Sequence, residues 1–160
     1  MVGCQKDHRK NIIARDMEDR EVQFRTVKQE DLHFVFLLLQ QLNKIDYSLR
    51  SLNECWDKFI NNNSSNSIVG ICNGKIVAYG SIIIENKIRG ELAGHVEDIV
   101  VDKKNRGKKT GIKLISELVK IAKSKKCYRV TLTCDNSLIK FYKKNGFIIN
   151  NIAMKKYINL

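Results

Sequence analysis

Apolar and polar residues alternate along this chain with two different periods, and the changes of period mark out its elements. Val22-Gln23-Phe24-Arg25-Thr26-Val27 alternates with period two, which predicts a half-buried strand. From Glu30 to Asn43 the period lengthens: Leu32, Val35, Phe36, Leu39 and Leu42 recur at three- and four-residue spacing, as on one face of a helix. Asp31 falls in its first turn, where the helix dipole favours an anion. Ser51 to Asn61 reads as a second short helix, with Ser51 and Glu54 at capping-box spacing. Asn61 to Ser67 reads as a polar loop. The apolar runs Ile68–Cys72 and Lys75–Ile84 flank Asn73-Gly74, the signature of a tight hairpin turn. Leu92 to Val101 is a further strand. Thr110 to Lys123 is an amphipathic helix, with Ile112, Ile115, Leu118, Val119 and Ala122 on one face. Tyr128–Cys134 reads as a strand, Ser137–Lys144 as a short helix and Phe147–Tyr157 as a last strand. This order predicts a single α/β domain: one mixed sheet covered by helices.

Composition narrows the class. At 160 residues and 43% apolar content the chain is one globular domain in size, long enough to bury a sizeable core. No apolar run approaches the ~20 residues that span a bilayer. Residues 1–20 are charged throughout and contain no apolar signal core, so they read as an N-terminal extension of a soluble, cytoplasmic protein, with residues 21–160 as the domain. The five cysteines show no CxxC spacing, so neither a disulfide framework nor a metal site is expected. Charge is unevenly spread: residues 1–102 carry a net −2 and residues 103–160 a net +14. That asymmetry implies an anionic partner: nucleic acid, a membrane surface or a multiply phosphorylated small molecule.

Three stretches carry candidate chemistry. In the first, the apolar strand end Ile99-Val100-Val101 enters a basic, glycine-punctuated turn (Lys103, Lys104, Arg106, Gly107, Lys108, Lys109) that opens the helix at Thr110. Backbone N–H groups at a helix N-terminus, ringed with cations, make a seat for a pyrophosphate; an ordinary strand-to-helix connection with solvated lysines has the same composition. The second is His95-Val96-Glu97-Asp98. Ionisable groups inside an apolar strand are costly unless they face a site or one another. Strict alternation puts His95, Glu97 and Ile99 on one face and Asp98 on the other, and a bulge here changes those facings. Substrate recognition with proton handling is one reading; a surface pair on an exposed sheet face is the other. The third is Lys140-Phe141-Tyr142-Lys143-Lys144-Asn145-Gly146-Phe147, a helix that carries an aromatic pair and ends in a C-cap signal. Tyr142 either presents its phenol to a reacting group or is a core aromatic.

Taken together and in this order, these stretches resemble the GNAT superfamily of acetyl-CoA-dependent N-acetyltransferases. GHVEDIVVDKKNRGKKTGIKLISELV followed by CYRVTLTCDNSLIKFYKKNGF is similar, more narrowly, to the glucosamine-6-phosphate N-acetyltransferases, closely over about residues 85–154 and more weakly over 24–72. The resemblance implies a mostly antiparallel mixed sheet splayed near its middle, flanked by about four helices, with the pantetheine arm of acetyl-CoA in the opening. It implies that Ile99, Val100 and Val101 pair with that arm, and that Arg106, Gly107, Lys108, Lys109, Thr110, Gly111 and Ile112 hold the pyrophosphate. Tyr142 faces the thioester sulfur, with Lys143 and Lys144 near the nucleotide. Sugar contacts map onto Asn43, Lys87, Ile88, Arg89, Gly90, Glu97 and Asp98, with Thr133 at the amine. Tyr128 and Arg129 come from a second subunit, so a homodimer is implied. No metal, nucleic-acid or membrane partner is implied.

Three positions depart from the family pattern. Lys109 stands where a glycine usually permits close phosphate approach. Thr133 replaces an acidic residue, and Tyr157 stands where the family carries an arginine for the sugar phosphate. The implied reaction is direct attack of the amine on the thioester in a ternary complex. A backbone N–H near Ile99 or Val100 receives the oxyanion charge, and Tyr142 returns a proton to the thiolate. Glu97 is the candidate base, with Asp98 or a backbone carbonyl positioning the amine. The competing expectations are a GNAT enzyme with another amine acceptor and a nucleic-acid- or CoA-binding module without catalysis.

Overall fold

The computed structural model describes residues 21–43 and 51–158; the extension expected over residues 1–20 lies outside that range. Five strands, β1 (Gln23–Thr26), β2 (Ser65–Cys72), β3 (Lys75–Asn86), β4 (Leu92–Val101) and β5 (Arg129–Leu132), form one sheet in chain order. β1 to β4 run antiparallel and β5 runs parallel to β4. The helices among the described residues are α1 (Leu32–Leu39), α2 (Leu52–Ile60), α3 (Thr110–Ser124) and α4 (Ile139–Lys144).

Local chemistry explains most of these boundaries. The β2–β3 hairpin closes through Asn73 and Gly74, both left-handed at φ +51° and +72°, as a type I′ turn requires. The start of α1 is fixed by Asp31. Its carboxylate accepts two hydrogen bonds from Arg25, at 2.6 and 2.9 Å, and one from the Lys28 N–H at 2.8 Å. Ser51 caps α2 by accepting from the Glu54 N–H.

Two expectations are corrected. The polar loop after α2 is shorter than expected, because Ser65, Asn66 and Ser67 already belong to β2. Ser67 is buried there, and its hydroxyl meets that of Tyr79 at 3.1 Å, so a polar residue fits inside the sheet. The last strand expected over Phe147–Tyr157 does not form among the described residues. Phe147 packs edge-on against Tyr142, and the chain then exposes Ile148, Ile149, Ile152 and Met154. Asn151 adopts φ +56°, which breaks an extended run.

The sheet separates two apolar layers. On one face Leu114, Ile115, Leu118 and Ala122 of α3 pack on Ile82, Ile84 and Val96, with Tyr142 at the margin. On the other, Val35 and Leu38 of α1 cover Val69, Tyr79 and Val100, joined by Trp56 and Phe59 of α2. No helix is long and apolar enough to cross a membrane among the described residues. Cys55, Cys72, Cys127 and Cys134 are half-buried and form no disulfide among the described residues.

Candidate active site

The pairing of β5 with β4 runs only from Ala93↔Arg129 to Val96↔Leu132, while β4 continues to Val101. From Glu97 onward one side of β4 therefore has no strand beside it, and the sheet opens. At the mouth of this opening the β3–β4 register shifts: Ser81 pairs with Glu97, but Tyr79 pairs with Val100. The extra residue is Asp98, held at φ +53°. This is a bulge, and it resolves the question of facings left by strict alternation. Ile99 joins the α3 layer and Val100 the α1 layer, so Ile99 does not share a face with His95.

The same shift decides where the backbone points. Asp102 N–H donates to Val77 C=O at 2.8 Å, so the pair at 102 and 77 is hydrogen-bonded. Alternation along an antiparallel ladder then directs Val100 toward Tyr79, and Ile99 and Val101 into the opening. Both residues thus turn their backbone groups to the side where β4 has no strand beside it; the Val101 carbonyl there is taken up by Arg106.

Asp98 and Tyr142 sit in contrasting environments. Asp98 keeps solvent contact by surface area, yet the protein packed around its carboxyl pushes the pKa upward with no compensating partner. Tyr142 is 8% exposed. Burial, and secondarily the nearby Cys134 thiol, push its phenol pKa up, and its hydroxyl meets no hydrogen-bond partner among the described residues. Such a phenol stays protonated well above neutral pH. Glu97 is exposed, and its carboxylate likewise has no partner among the described residues.

The basic turn is built as a cradle. Gly107 and Lys109 are both left-handed, at φ +81° and +63°, so a lysine adopts here a conformation that glycine accepts without strain. The Arg106 Nε donates to Val101 C=O at 3.0 Å, tying the turn to the end of β4. On its other flank Gln41 donates to Asp102 at 3.1 Å and accepts from the Lys103 N–H at 3.2 Å; this contact holds the Asp102 carboxyl below its usual range. Thr110, the first residue of α3, is 2% exposed, and its Oγ1 has no partner among the described residues. An orphaned buried hydroxyl beside the free N–H groups of a helix start fits an anionic oxygen. Gly111 packs against Phe141, where a Cβ would stand 3.2 Å from the ring, and so draws α4 and Tyr142 up to the cradle. Lys108 and Ile112 of this turn are exposed, as are Lys143 and Lys144 of α4.

The sequence matches the acetyltransferase (GNAT) family over residues 32–147. The chain belongs to the GNAT acetyltransferase family. Its curated relatives include the glucosamine 6-phosphate N-acetyltransferase of Arabidopsis thaliana, 43% identical over 88 residues, or 54% of this chain and 59% of that protein. The enzyme of the same name from Candida albicans is 36% identical over 54% of this chain and 60% of its own length. The chain thus matches little more than half the length of these relatives. Among solved structures, that of the Arabidopsis glucosamine-6-phosphate N-acetyltransferase superposes with a TM-score of 0.79 at 32% identity, covering 88% of this chain and all of that one. An acetyltransferase from Trypanosoma brucei gives 0.79 at 30% identity over 86% of this chain.

In this GNAT domain the residues singled out from sequence fall into two groups. Glu97, Asp98, Ile99 and Val101 lie on the stretch of β4 beyond its pairing with β5, which runs on into the 106–112 turn; Gly111 of that turn packs against Phe141, the neighbour of Tyr142, and Thr133 is exposed just past β5. Lys87, Ile88, Arg89 and Gly90 form the β3–β4 turn at the opposite end of β4. Arg89 there pairs with Glu91 and donates to the Tyr128 hydroxyl at 2.8 Å, and the Arg129 guanidinium lies 5.1 Å from the Tyr128 ring centre. Ala93, the partner of Arg129, is five residues from Asp98, roughly 17 Å of extended strand. A single chain therefore does not bring Tyr128 and Arg129 to Asp98. Asn43 is exposed where α1 runs out, beside residues 44–50, which are outside the described range. His95, which the sequence places either in a recognition and proton-handling group or in a surface pair, crosslinks three strands: it meets Thr131 at 2.9 Å and Glu85 at 2.7 Å, and Glu85 also pairs with Lys87 at 2.6 Å. Gln41 and Ser81 were not singled out. A serine and a tyrosine inside the otherwise apolar run of β3 were the available signal.

Proposed function

We propose that this chain transfers the acetyl group of acetyl-CoA to the 2-amino group of glucosamine 6-phosphate, as a homodimer. The observation that carries the donor half is the opening of β4 from β5 at the Asp98 bulge, flanked by the cationic start of α3 and by the buried phenol of Tyr142. The acceptor half is supported by the named activity of the Arabidopsis and Candida relatives. The separation of Tyr128 and Arg129 from Asp98 within one chain supports the dimer, since those residues then serve the partner's site.

In this reading the free N–H groups of Thr110, Gly111 and Ile112, with the Thr110 hydroxyl, hold the pyrophosphate, and Lys109 adds charge to the same seat. The acceptor arrives as an ammonium and loses one proton toward Glu97 and Asp98, whose carboxylates stand at the mouth of the opening. The free amine attacks the thioester carbonyl. Charge gathering on the carbonyl oxygen is met by the Ile99 N–H. As the C–S bond breaks, the thiolate takes a proton from Tyr142, and the second amine proton restores the phenol. The balance is one amide, one free thiol and one proton released to solvent. Purified protein is assayed for thiol release from acetyl-CoA with glucosamine 6-phosphate, against polyamines, aminoglycosides and lysine peptides. The sugar phosphate is expected to give the highest kcat/KM. A higher value with any other amine removes the assignment of acceptor; no thiol release with any removes the reaction.

A further inference from the structure

The bulge needs an anchor. Were Asp98 absorbed into regular pairing, every residue after it would slip by one. Val100 would then face the opening, and Ile99 would turn toward β3. The observed register is therefore what sets Ile99 in place. On the far side of the bulge it is held by the Tyr79–Val100 pair. On the near side the Ser81 hydroxyl donates to the Glu97 carbonyl at 3.2 Å, immediately before the strained Asp98.

Both sides are tied to the same buried polar group. Ser67 is 2% exposed, Ser81 7% and Tyr79 8%, and the Tyr79 hydroxyl meets Ser67 at 3.1 Å. Three hydroxyls thus lie on the sheet face whose apolar layer includes Val69 and Val100, Val35 and Leu38 of α1, and Trp56 and Phe59 of α2. Buried hydroxyls at such positions cost stability unless each is satisfied, so their partners are informative. The Ser81 partner is a backbone carbonyl beside the residue with the unusual φ.

The geometry points to Ser81 as a positioning residue for acyl transfer: its hydroxyl secures the Glu97 carbonyl at the Asp98 bulge and so fixes the Ile99 N–H toward the sheet opening. Ser81 touches neither substrate; it acts through the peptide it holds. The inference deepens the acetyl-transfer reading above and rests on it. An oxyanion donor is effective only when fixed before the reaction begins, and a small displacement of it is expressed in kcat rather than in binding.

The test uses Ser81→Ala and Ser81→Cys in the full chain. Cysteine keeps the shape of the side chain with a somewhat larger atom at its end, and offers only a weak S–H donor. Single-turnover acetyl transfer is measured beside calorimetric binding of coenzyme A. Both variants are expected to lose about tenfold or more in the rate of the chemical step, with the coenzyme A dissociation constant held within about twofold. If alanine leaves a protein that does not fold, the cysteine variant decides. An unchanged chemical step in a folded variant overturns the proposal, as does a loss of coenzyme A binding in step with the loss of rate. Failure of the underlying reading shows in the unmodified protein, which would then neither bind coenzyme A nor release its thiol.

Discussion

Gly80 lies directly under Ile99: a Cβ placed on Gly80 would stand 2.6 Å from the Ile99 Cδ1, and 3.1 and 3.3 Å from Leu118 and Leu114. The glycine sits opposite the Asp98 bulge and leaves the space into which Ile99 settles. Three side-chain ends meet at that point, so none moves without crowding another. Gly80→Ala is expected to cost about 1–3 kcal/mol by overpacking and to raise the KM for acetyl-CoA as Ile99 is displaced. Urea unfolding and steady-state kinetics check the two effects separately.

Tyr142 gives a prediction in which rate and stability part company. Tyr142→Phe removes a hydroxyl with no hydrogen-bond partner among the described residues, so Tm is expected to hold or rise slightly. Loss of the proton donor is expected to lower kcat about tenfold or more, as for other general acids. The unmodified phenol, pushed up by burial, is expected to keep its proton through neutral pH, so no loss of kcat from its ionisation appears below its ordinary value of 10.0. A thiol-release pH profile on both proteins decides the matter.

Lys109 combines strain with charge. Lys109→Gly removes a left-handed side-chain residue, worth about 1–2 kcal/mol in the fold, but adds about 0.4–1 kcal/mol of unfolded-chain entropy. A small net gain in stability is expected from denaturant titration. The KM for acetyl-CoA is expected to rise at low salt, and the difference from the unmodified protein to shrink as salt is added.

The ion pair that starts α1 sets an acid limb of stability. The Arg25 guanidinium, with help from the Lys28 N–H, holds the Asp31 carboxyl below its ordinary 3.8, against the opposing effect of burial. A depressed carboxyl pKa contributes stability above the unfolded value, and that contribution disappears as pH falls through the folded value. Asp31→Asn is expected to cost about 1–3 kcal/mol at pH 7, in the range of charge-assisted hydrogen bonds. The two unfolding curves converge as the pH falls through the lowered folded-state pKa, where the unmodified carboxyl is itself protonated.

Dimeric sharing of the site has a distinctive signature. Tyr142→Phe and Arg129→Ala proteins are each expected to be poorly active. Mixing them after dissociation and reassociation is expected to restore activity, because one site of the mixed dimer then has Tyr142 from one chain and Arg129 from the other. If both residues serve the same chain, mixing restores nothing.

How much of this was legible in the sequence depended on whether the signal was local. Asn73-Gly74 named its own turn because few residue pairs accept two left-handed conformations in succession. The stripe from Ile115 to Ala122 named α3 because a helix must bury one face. Ser65–Ser67 misled because the partner that makes a buried serine acceptable, Tyr79, lies twelve residues further on. Phe147–Tyr157 misled because an apolar-rich segment reads as a strand whether or not it pairs, and the left-handed Asn151 in its middle breaks the extension. A bulge near His95–Asp98 stood as an alternative to strict alternation, with nothing in the sequence to fix its phase. Only the register with β3 identifies Asp98, rather than Glu97, as the extra residue.

Because Asp98 is one residue more than its ladder requires, β4 has no architectural use for it. A chain lacking that residue would close β3 and β4 as an unbroken ribbon, with Val96, Ile99 and Val101 still beneath α3 and Val100 still beneath α1. The strained conformation and the desolvated carboxyl are costs from which the sheet gains nothing. What the surplus residue contributes is a carboxyl group, held where β4 leaves β5.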